Sequence, residues 1–496
     1  MGWDSDYESD HRIYNDDDDR RIYNSSDFED YEEDESDDEE EESDDDEDDD
    51  SGSVEEVKDE TVEKFIRTFH NGDFDTEFDD ALSVERGVTF RSTARPGASY
   101  NKPDNWQERN SIGLEKVEEQ LQGLFNEVSQ DKHFILHLIH GQDDEEPIVW
   151  HEPILDRYWD KVEGKINRRR QLGRVTKIRD MCIRNVEMTK ERLAAIVAIL
   201  SIQPTFLRGT ATNSCKVVIF DNVNLCEEGI MCLSKLIEIS LELREFRLRH
   251  NRIDNMESAR CLSRSLKSHT CVNQLVLTHC DLGSSPEILF VVLQSDVEYI
   301  NLDNNNIDSL GAVKIAEYLE SDPPIEGLCL AYNKLNDDDA ILISQAMKRN
   351  TNLVTIHLHS NNITSIGVKA LLTCAFDSSS LNAISESNHT LVGMYIFSQR
   401  VNESLRGCID RLLELDRTQK IVLALQDKES LLKYLTNVPV ELIPEVLAKR
   451  GRIVDEYQHK HLNIVYSTMR WWNMPMLYSY HHDCCVKSNT KRKRDD

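Results

Sequence analysis

The sequence predicts an α/β solenoid with a parallel inner sheet and outer helices. Two observations predict it. An apolar pattern typical of a short strand recurs about every 28 residues, and residues with helical spacing separate its copies. Five full copies lie in register, and chance does not produce such self-similarity. The flanks of this repeat region differ from it in composition, so the chain divides into several segments.

The first 60 residues are a polyanion with 32 acidic and four basic residues. They carry a net charge of −28 out of −36 for the whole chain. Such a segment buries too little apolar surface to offset the cost of ordering, which predicts a disordered acidic tail over residues 1–60. Five serines followed three residues later by an acid are phosphorylation candidates: Ser5, Ser26, Ser36, Ser43 and Ser53.

The segments before the repeats are predicted to be a connector and a folded flank. Residues 61–110 contain the turn-prone Arg95-Pro96-Gly97 and are assigned to the connector. Residues 111–174 form the flank, since Leu114 to Val128 has helical spacing and Phe134 to Ile139 is typical of a strand.

The repeats occupy residues 175–397. Each copy has apolar residues at positions 1, 4, 6 and 11 and Asn or Cys at position 9. Full copies begin at Leu243, Val272, Val297, Ile325 and Leu353. Weaker copies begin at Ile178 and Cys215, and a last weak copy is assigned to Leu381, Ile384 and Leu391. Positions 4 and 6 should point from a strand into the core. The position-9 side chains should form a structural ladder of hydrogen bonds to neighbouring loops: Asn251, Cys280, Asn305, Asn333 and Asn361.

This pattern resembles the ribonuclease-inhibitor-type leucine-rich repeat over about residues 175–395. The resemblance implies a horseshoe with a parallel inner sheet and outer helices. It also implies protein binding, because members of this class are mostly protein-binding modules, and a few are GTPase-activating proteins for a nuclear transport GTPase. A fold of this kind specifies architecture far more closely than function.

Side chains at positions 2, 3, 5 and 7 are expected to be exposed on the concave surface that solenoids use for binding. Arginine and aromatic side chains are favoured at protein–protein hot spots. Together with Tyr332 in the adjacent loop, the candidate partner-binding residues are Arg247, Arg249, Tyr299, Asn301, Asp303, His357 and His359.

The C-terminal part is predicted to cap the solenoid. Residues 398–480 have helical patterning, and residues 481–496 form a basic tail. Its run Lys491, Arg492, Lys493 and Arg494 is a candidate nuclear-import signal. The nearby His481, His482, Cys484 and Cys485 lack the spacing of known zinc sites, so neither a metal nor another cofactor is expected.

The chain contains no nucleotide-binding, metalloprotease or nucleophile-elbow motif, which favours a non-enzymatic protein. The leading hypothesis is a protein-interaction scaffold. Two alternatives stay open: an acidic-tail chaperone of basic nuclear proteins such as histones, and a GTPase-activating protein of the nuclear transport type. The chaperone alternative draws on a similarity to acidic leucine-rich nuclear phosphoproteins, although their acidic run follows the repeats and here it precedes them.

The sequence also bears on location and partner class. It has no secretory signal, no apolar run long enough to span a membrane, and 12 cysteines without disulfide-scaffold spacing. These features predict an intracellular protein, cytoplasmic or nuclear. The negative net charge argues against membrane binding or direct binding of nucleic acid, and the identity of the protein partner is open.

Overall fold

The computed structural model describes residues 106–129, 134–141, 148–171, 178–201, 215–397, 403–417 and 420–421. The acidic tail with its five phosphorylation candidates (Ser5, Ser26, Ser36, Ser43 and Ser53) lies outside these residues. So do most of the connector and of the cap, and the import candidate Lys491, Arg492, Lys493 and Arg494.

Nine parallel strands form one sheet in which the spatial order equals the chain order. The strands are β1 Phe134–Ile139, β2 Ile178–Arg184, β3 Val217–Asp221, β4 Glu245–Arg249, β5 Gln274–Val276, β6 Tyr299–Asn301, β7 Gly327–Cys329, β8 Thr355–His357 and β9 Gly393–Tyr395. Sequential parallel pairing of this kind is the topology of a repeat solenoid.

A helix precedes the sheet, helices connect its strands, and another follows it. They are α1 Trp106–Ser129, α2 Pro153–Gln171, α3 Lys190–Ser201, α4 Glu227–Ile239, α5 Met256–Ser268, α6 Pro286–Leu293, α7 Ser309–Glu320, α8 Asp337–Met347, α9 Ser365–Ala375, α10 Leu381–Ser385 and α11 Glu403–Glu414. Because strand–helix–strand connections in one sheet are right-handed, a sheet that grows in one direction collects its helices on one face. No helix among the described residues is long and apolar enough to cross a membrane.

The core lies between the strands and this helical layer. Side chains at repeat positions 4 and 6 point into it, and Phe220, Phe246 and Leu248 are fully buried there. The strand pairing keeps these positions aligned from one repeat to the next, as in Val218 opposite Phe246 and Ile300 opposite Leu328. Repeat periodicity in the sequence therefore corresponds to a continuous apolar core.

The N-terminal flank belongs to the solenoid. Phe134–Ile139 is a strand as predicted, and it pairs with β2, placing Leu136 opposite Met181. Helix α1 begins at Trp106, inside the segment predicted as connector. The flank therefore contributes the first strand of the sheet.

The predicted register of the last weak copy is wrong. Leu381 begins the short helix α10, and the ninth strand is Gly393–Tyr395, with Met394 opposite Ile356. Leu391 therefore takes position 1 of the last repeat, where position 11 was predicted. The apolar side chains of α10 imitate the pattern because Ile384 also faces the core, where it is fully buried.

The position-9 side chains satisfy backbone groups that strand pairing leaves unbonded. Asn305 Oδ1 accepts from the Cys280 amide at 2.9 Å, and its Nδ2 donates to the Leu277 carbonyl at 2.6 Å. Asn251, Asn333 and Asn361 make equivalent bonds. Cys280 substitutes a thiol, whose Sγ donates to the Leu248 carbonyl at 3.1 Å. Buried amides in this turn thus keep partners in successive repeats.

Candidate functional site on the open face of the sheet

The face of the sheet opposite the helices, here called the open face, carries the side chains of repeat positions 3, 5 and 7. Side chains on a strand alternate between faces, so these residues point away from the core. The pairing brings position-5 residues into one row across the sheet: Cys182, Ile219, Arg247, Val276, Asn301, Cys329, His357 and Tyr395.

Two arginines occupy β4 at the first part of this face. Arg247 pairs with Glu245 on the same strand, so its charge is already neutralised. Arg249 Nε donates to the Thr278 hydroxyl at 3.2 Å. Among the described residues, no carboxylate lies within ion-pair distance of Arg249, although it is only partly exposed. A partly desolvated guanidinium without a carboxylate is a ready anchor for an acceptor on another molecule.

A buried polar cluster that the sequence analysis missed lies beside Arg249. Asp221 pairs with Arg184 at 3.2 Å and bonds the ring of His250 at 2.9 Å. Burial disfavours the Asp221 carboxylate, but its bond to His250 and the charges of Arg249 and Arg184 outweigh burial and lower its pKa. The His250 ring stacks on His279 with the ring centres 4.2 Å apart.

His250 and His279 hold the same place in consecutive repeats. Both follow position 7 and have positive φ, 52° and 56°. Asn185, Asn222, Asn304, Tyr332 and Ser360 have the same conformation in the other repeats. Asn and His tolerate this left-handed region better than most residues. A polar residue directly after position 7 was the signal in the sequence that could have located the cluster.

The middle of the open face is built around Tyr299. Its hydroxyl donates to the Glu326 carboxylate at 3.0 Å. Its ring lies across Gly327 on the next strand, where an added Cβ would approach Tyr299 Cδ1 to 2.5 Å. Glycine is therefore favoured at position 327, because it gives the aromatic ring room to lie along the sheet.

Asp303 follows the strand that holds Tyr299, at position 7 and beyond Asn301 on the open face. Its Oδ1 accepts from the Ala331 amide at 2.7 Å, and its own amide donates to Asn301 Oδ1 at 2.9 Å. Burial raises the pKa of Asp303 to about 7, while the Ala331 and Asn301 bonds and the charge of Arg249 oppose the rise. The carboxyl is partly exposed, yet surrounding protein crowds it enough to disfavour its charge.

Rings cover the far end of the face. The His357 ring lies 4.3 Å from the Tyr395 ring, Tyr332 meets His359 edge-on at 5.1 Å, and Arg406 of α11 lies over Tyr395 at 5.2 Å. Burial lowers the pKa of both histidines to about 4, and the charge of Arg406 acts in the same direction.

The expectation that every candidate side chain is exposed is wrong for three of them. Asn301, His357 and His359 are 8%, 5% and 8% exposed. The cause for the histidines is the ring packing just described, and Asn301 is bonded to the Asp303 amide on the floor of the face. Arg247, Arg249, Tyr299, Asp303 and Tyr332 keep partial exposure and can still contact a partner.

The arrangement supplies cationic, acidic and aromatic contacts on the open face. Among the residues that the structure describes, no group of three or more His, Cys, Asp or Glu side chains is placed to hold a metal ion. The open face offers hydrogen-bonding groups, a guanidinium that has no carboxylate within ion-pair distance among the described residues, and aromatic surface, and protein interfaces use such contacts.

Comparisons with family models and with curated proteins found no match for this chain. A solved structure of leiomodin-1 actin-binding site 2 is similar to 38% of this chain and 88% of its own length, at 16% sequence identity and a TM-score of 0.24.

Proposed function

We propose that this protein is a non-enzymatic interaction scaffold that binds a protein partner on the open face of its sheet. Arg249 is the observation that carries the proposal. Its guanidinium lies on the open face with one hydroxyl partner and without a carboxylate among the described residues. An arginine held in this way is typical of a binding hot spot, because a partner's acceptor gains a strong bond without breaking an existing ion pair.

The surroundings of Arg249 support the same proposal. Asp221, its neighbour on β3, is bound directly to Arg184 and His250 and attracts Arg249 only from beyond ion-pair distance. Tyr299, two strands away, offers a rigid partly exposed ring at low cost in side-chain entropy. The two side chains flank a floor that includes Thr278 and Val276, and both of these residues are buried. A cationic contact and an aromatic contact on the same face fit a partner that presents both an acidic or amide group and apolar surface.

We also propose a specific repeat type and curvature for this solenoid. The 28-residue spacing, the position-9 asparagines and the sequential sheet support a leucine-rich repeat of the ribonuclease-inhibitor type, curved as a horseshoe with the open face on its concave side. An intracellular location, cytoplasmic or nuclear, accompanies it because ten described cysteines are free thiols.

The proposal is tested by capture on the immobilised full chain. Arg249→Glu reverses the charge on the open face, and Arg264→Glu makes the same change at an exposed position of α5 in the helical layer. Proteins captured from a lysate of the source cells are quantified by mass spectrometry for both variants and for the wild type.

We expect Arg249→Glu to reduce the main captured proteins by about tenfold, the size of a lost hot-spot contact. Arg264→Glu should capture them as the wild type does. Equal capture by Arg249→Glu and the wild type would overturn recognition at the open face, and would favour binding through other parts of the chain.

A further inference from the structure

We propose that the outer helical layer carries a second docking surface, on α7, α8 and α9, for an amphipathic helix with basic residues beside its apolar face. This surface is separate from the open face, and the proposal does not depend on the proposed function. It is called the α7–α9 patch and consists of Leu310, Val313, Asp338, Ile341 and Ile366.

Large apolar side chains are exposed on α7 and α9. Leu310, Val313 and Ile366 are 66%, 50% and 64% exposed. An outward helix face is normally polar, since only the inward stripe is needed for the core. The core of α7 and α9 is supplied by other residues, such as Ile315 and Leu371, which are fully buried. The exposed side chains therefore serve no packing role within the described structure.

The residues of the patch also occupy matching positions on the three helices. Leu310, Asp338 and Ile366 follow each other at intervals of 28 residues and are the second residue of their helices. Helix α8 packs between α7 and α9, so the acidic Asp338 stands between two apolar side chains at the same level. Ile341, partly exposed one turn later on α8, continues the apolar surface next to Val313.

The start of α8 also carries negative charge that no described cation neutralises. The first turn of α8 holds Asp337, Asp338 and Asp339, and no described cation pairs with any of them. Asp337 accepts from Thr364 and Gly367, and Asp339 from the Asn336 amide. Hydrogen bonds and the positive helix terminus moderate these charges without neutralising them.

Two lysines lie near this surface, one on α7 and one on α9. Lys314 on α7 is shared between Glu287 and Glu317 and lies over the Phe290 ring. Its charge is therefore directed toward α6 and along α7. The α7–α9 patch is left apolar at its two sides, with the exposed Asp338 at its centre and the exposed Lys369 one turn after Ile366 at its α9 edge.

These features together indicate which class of partner the α7–α9 patch would bind. An apolar partner alone would desolvate the exposed Asp338 carboxylate without giving it a counter-charge, which is costly. A membrane with anionic lipids would be repelled by this carboxylate. A helix with leucine-like residues and a lysine or arginine one turn apart places apolar side chains on Leu310 and Ile366 and a cation on Asp338.

Fluorescence anisotropy with the full-length protein tests the proposal. The probe is a labelled 14-residue helical peptide made of leucine and lysine only, and its counterpart has glutamate in place of every lysine. The buffer contains about 0.3 M salt, which weakens attraction between the lysine peptide and the acidic N-terminal segment. The variants are Leu310→Ser with Ile366→Ser, Asp338→Lys alone, and Leu241→Ser as the control, because Leu241 is 53% exposed outside the patch.

We expect the lysine peptide to bind the wild type and Leu241→Ser equally, and the glutamate peptide not to bind. Binding of the lysine peptide should weaken about tenfold in the double variant and in Asp338→Lys. Asp338→Lys keeps the apolar side chains, so it tests the surface even if the double variant folds poorly.

Three outcomes would overturn the proposal. Equal binding by the wild type, the double variant and Asp338→Lys would place the peptide elsewhere on the chain. A wild-type dimer in sedimentation velocity that the double variant lacks would make the patch an interface between two copies. Binding to vesicles of anionic lipid that the double variant loses would make it a membrane contact.

Discussion

Asp221 Oδ1 and His250 Nδ1 lie 2.9 Å apart, and the second oxygen of the same carboxylate lies 3.2 Å from Arg184 Nε. These three side chains come from β2, from β3 and from the residue after β4, so one carboxylate links three consecutive repeats. Asp221 is fully buried. A buried carboxylate is tolerated only when such partners replace the water it has lost.

Asp221→Asn should destabilise the protein by roughly 2 kcal/mol, because Arg184 loses its counter-charge while remaining largely buried. The pKa of Asp221 is lowered in the folded state, so its contribution is present above about pH 4 and is lost as the pH falls through that pKa. Urea unfolding at neutral pH and near pH 3 measures both effects.

The control for that experiment is Asp254→Asn. Its ion pair with Arg252 is 3.6 Å long and its side chain is 55% exposed, so a change within about 0.5 kcal/mol is expected. If Asp221→Asn were equally neutral at neutral pH, the carboxylate would not stabilise the repeat stack.

The buried histidine pair predicts an acid-sensitive fold. Burial lowers the pKa of His357 and His359 to about 4. The unfolded chain binds protons near pH 6.5, so their neutral forms contribute fully above that pH, and this contribution falls as the pH drops toward 4. Replacing both by glutamine should remove roughly 5 kcal/mol of the stability difference between about pH 7.5 and pH 4.5. Parallel stability–pH curves for the variant and the wild type would show that these rings do not control the acid response.

The position-9 asparagine of β6 is predicted to be a major contributor to stability. Asn305 makes four hydrogen bonds to backbone groups of its own and the preceding repeat. Asn305→Ala should cost roughly 2–4 kcal/mol, since it leaves buried backbone groups without partners. Asn273→Ala, at an exposed position before β5, should change stability by less than about 0.5 kcal/mol. Similar losses of stability for both variants would show that the position-9 hydrogen bonds do not stabilise the repeats.

Two glycine-to-alanine changes should have opposite signs. At Gly327 the new methyl group meets the Tyr299 ring at 2.5 Å, and overpacking should cost about 1–3 kcal/mol. At Gly123, within α1, nothing lies within 4 Å of the added carbon, and helix propensity should add about 0.5–1 kcal/mol of stability. Urea midpoints that move in the same direction for both variants would contradict the packing of Tyr299 against Gly327.

Prediction from the sequence succeeded where a periodic pattern reports burial. Strand residues such as Phe246 and Ile300 face the core in every repeat, so their spacing located the strands from β2 to β8. It failed at Leu391, because the α10 insertion shifts the phase, and a buried Ile384 in a helix looks like one in a strand.

Prediction at the candidate site was less complete, and the physical reason differs between residues. His357 was expected to be exposed because it alternates with a core residue, but spacing along one strand does not show that Tyr395 covers it from the next. The bonds from Asp221 to His250 and Arg184 join residues 29 and 37 positions away. Such contacts depend on how repeats stack, which a linear pattern does not encode.

The most direct test of recognition at the open face is site-specific photocrosslinking in cells. A photoreactive phenylalanine analogue replaces Tyr299 in one full-length protein and Arg264 of the helical layer in another. We predict a discrete covalent adduct with a protein partner from position 299 and none with that partner from position 264. Adducts from position 264 alone, or none from position 299 while capture from lysate persists, would contradict the account.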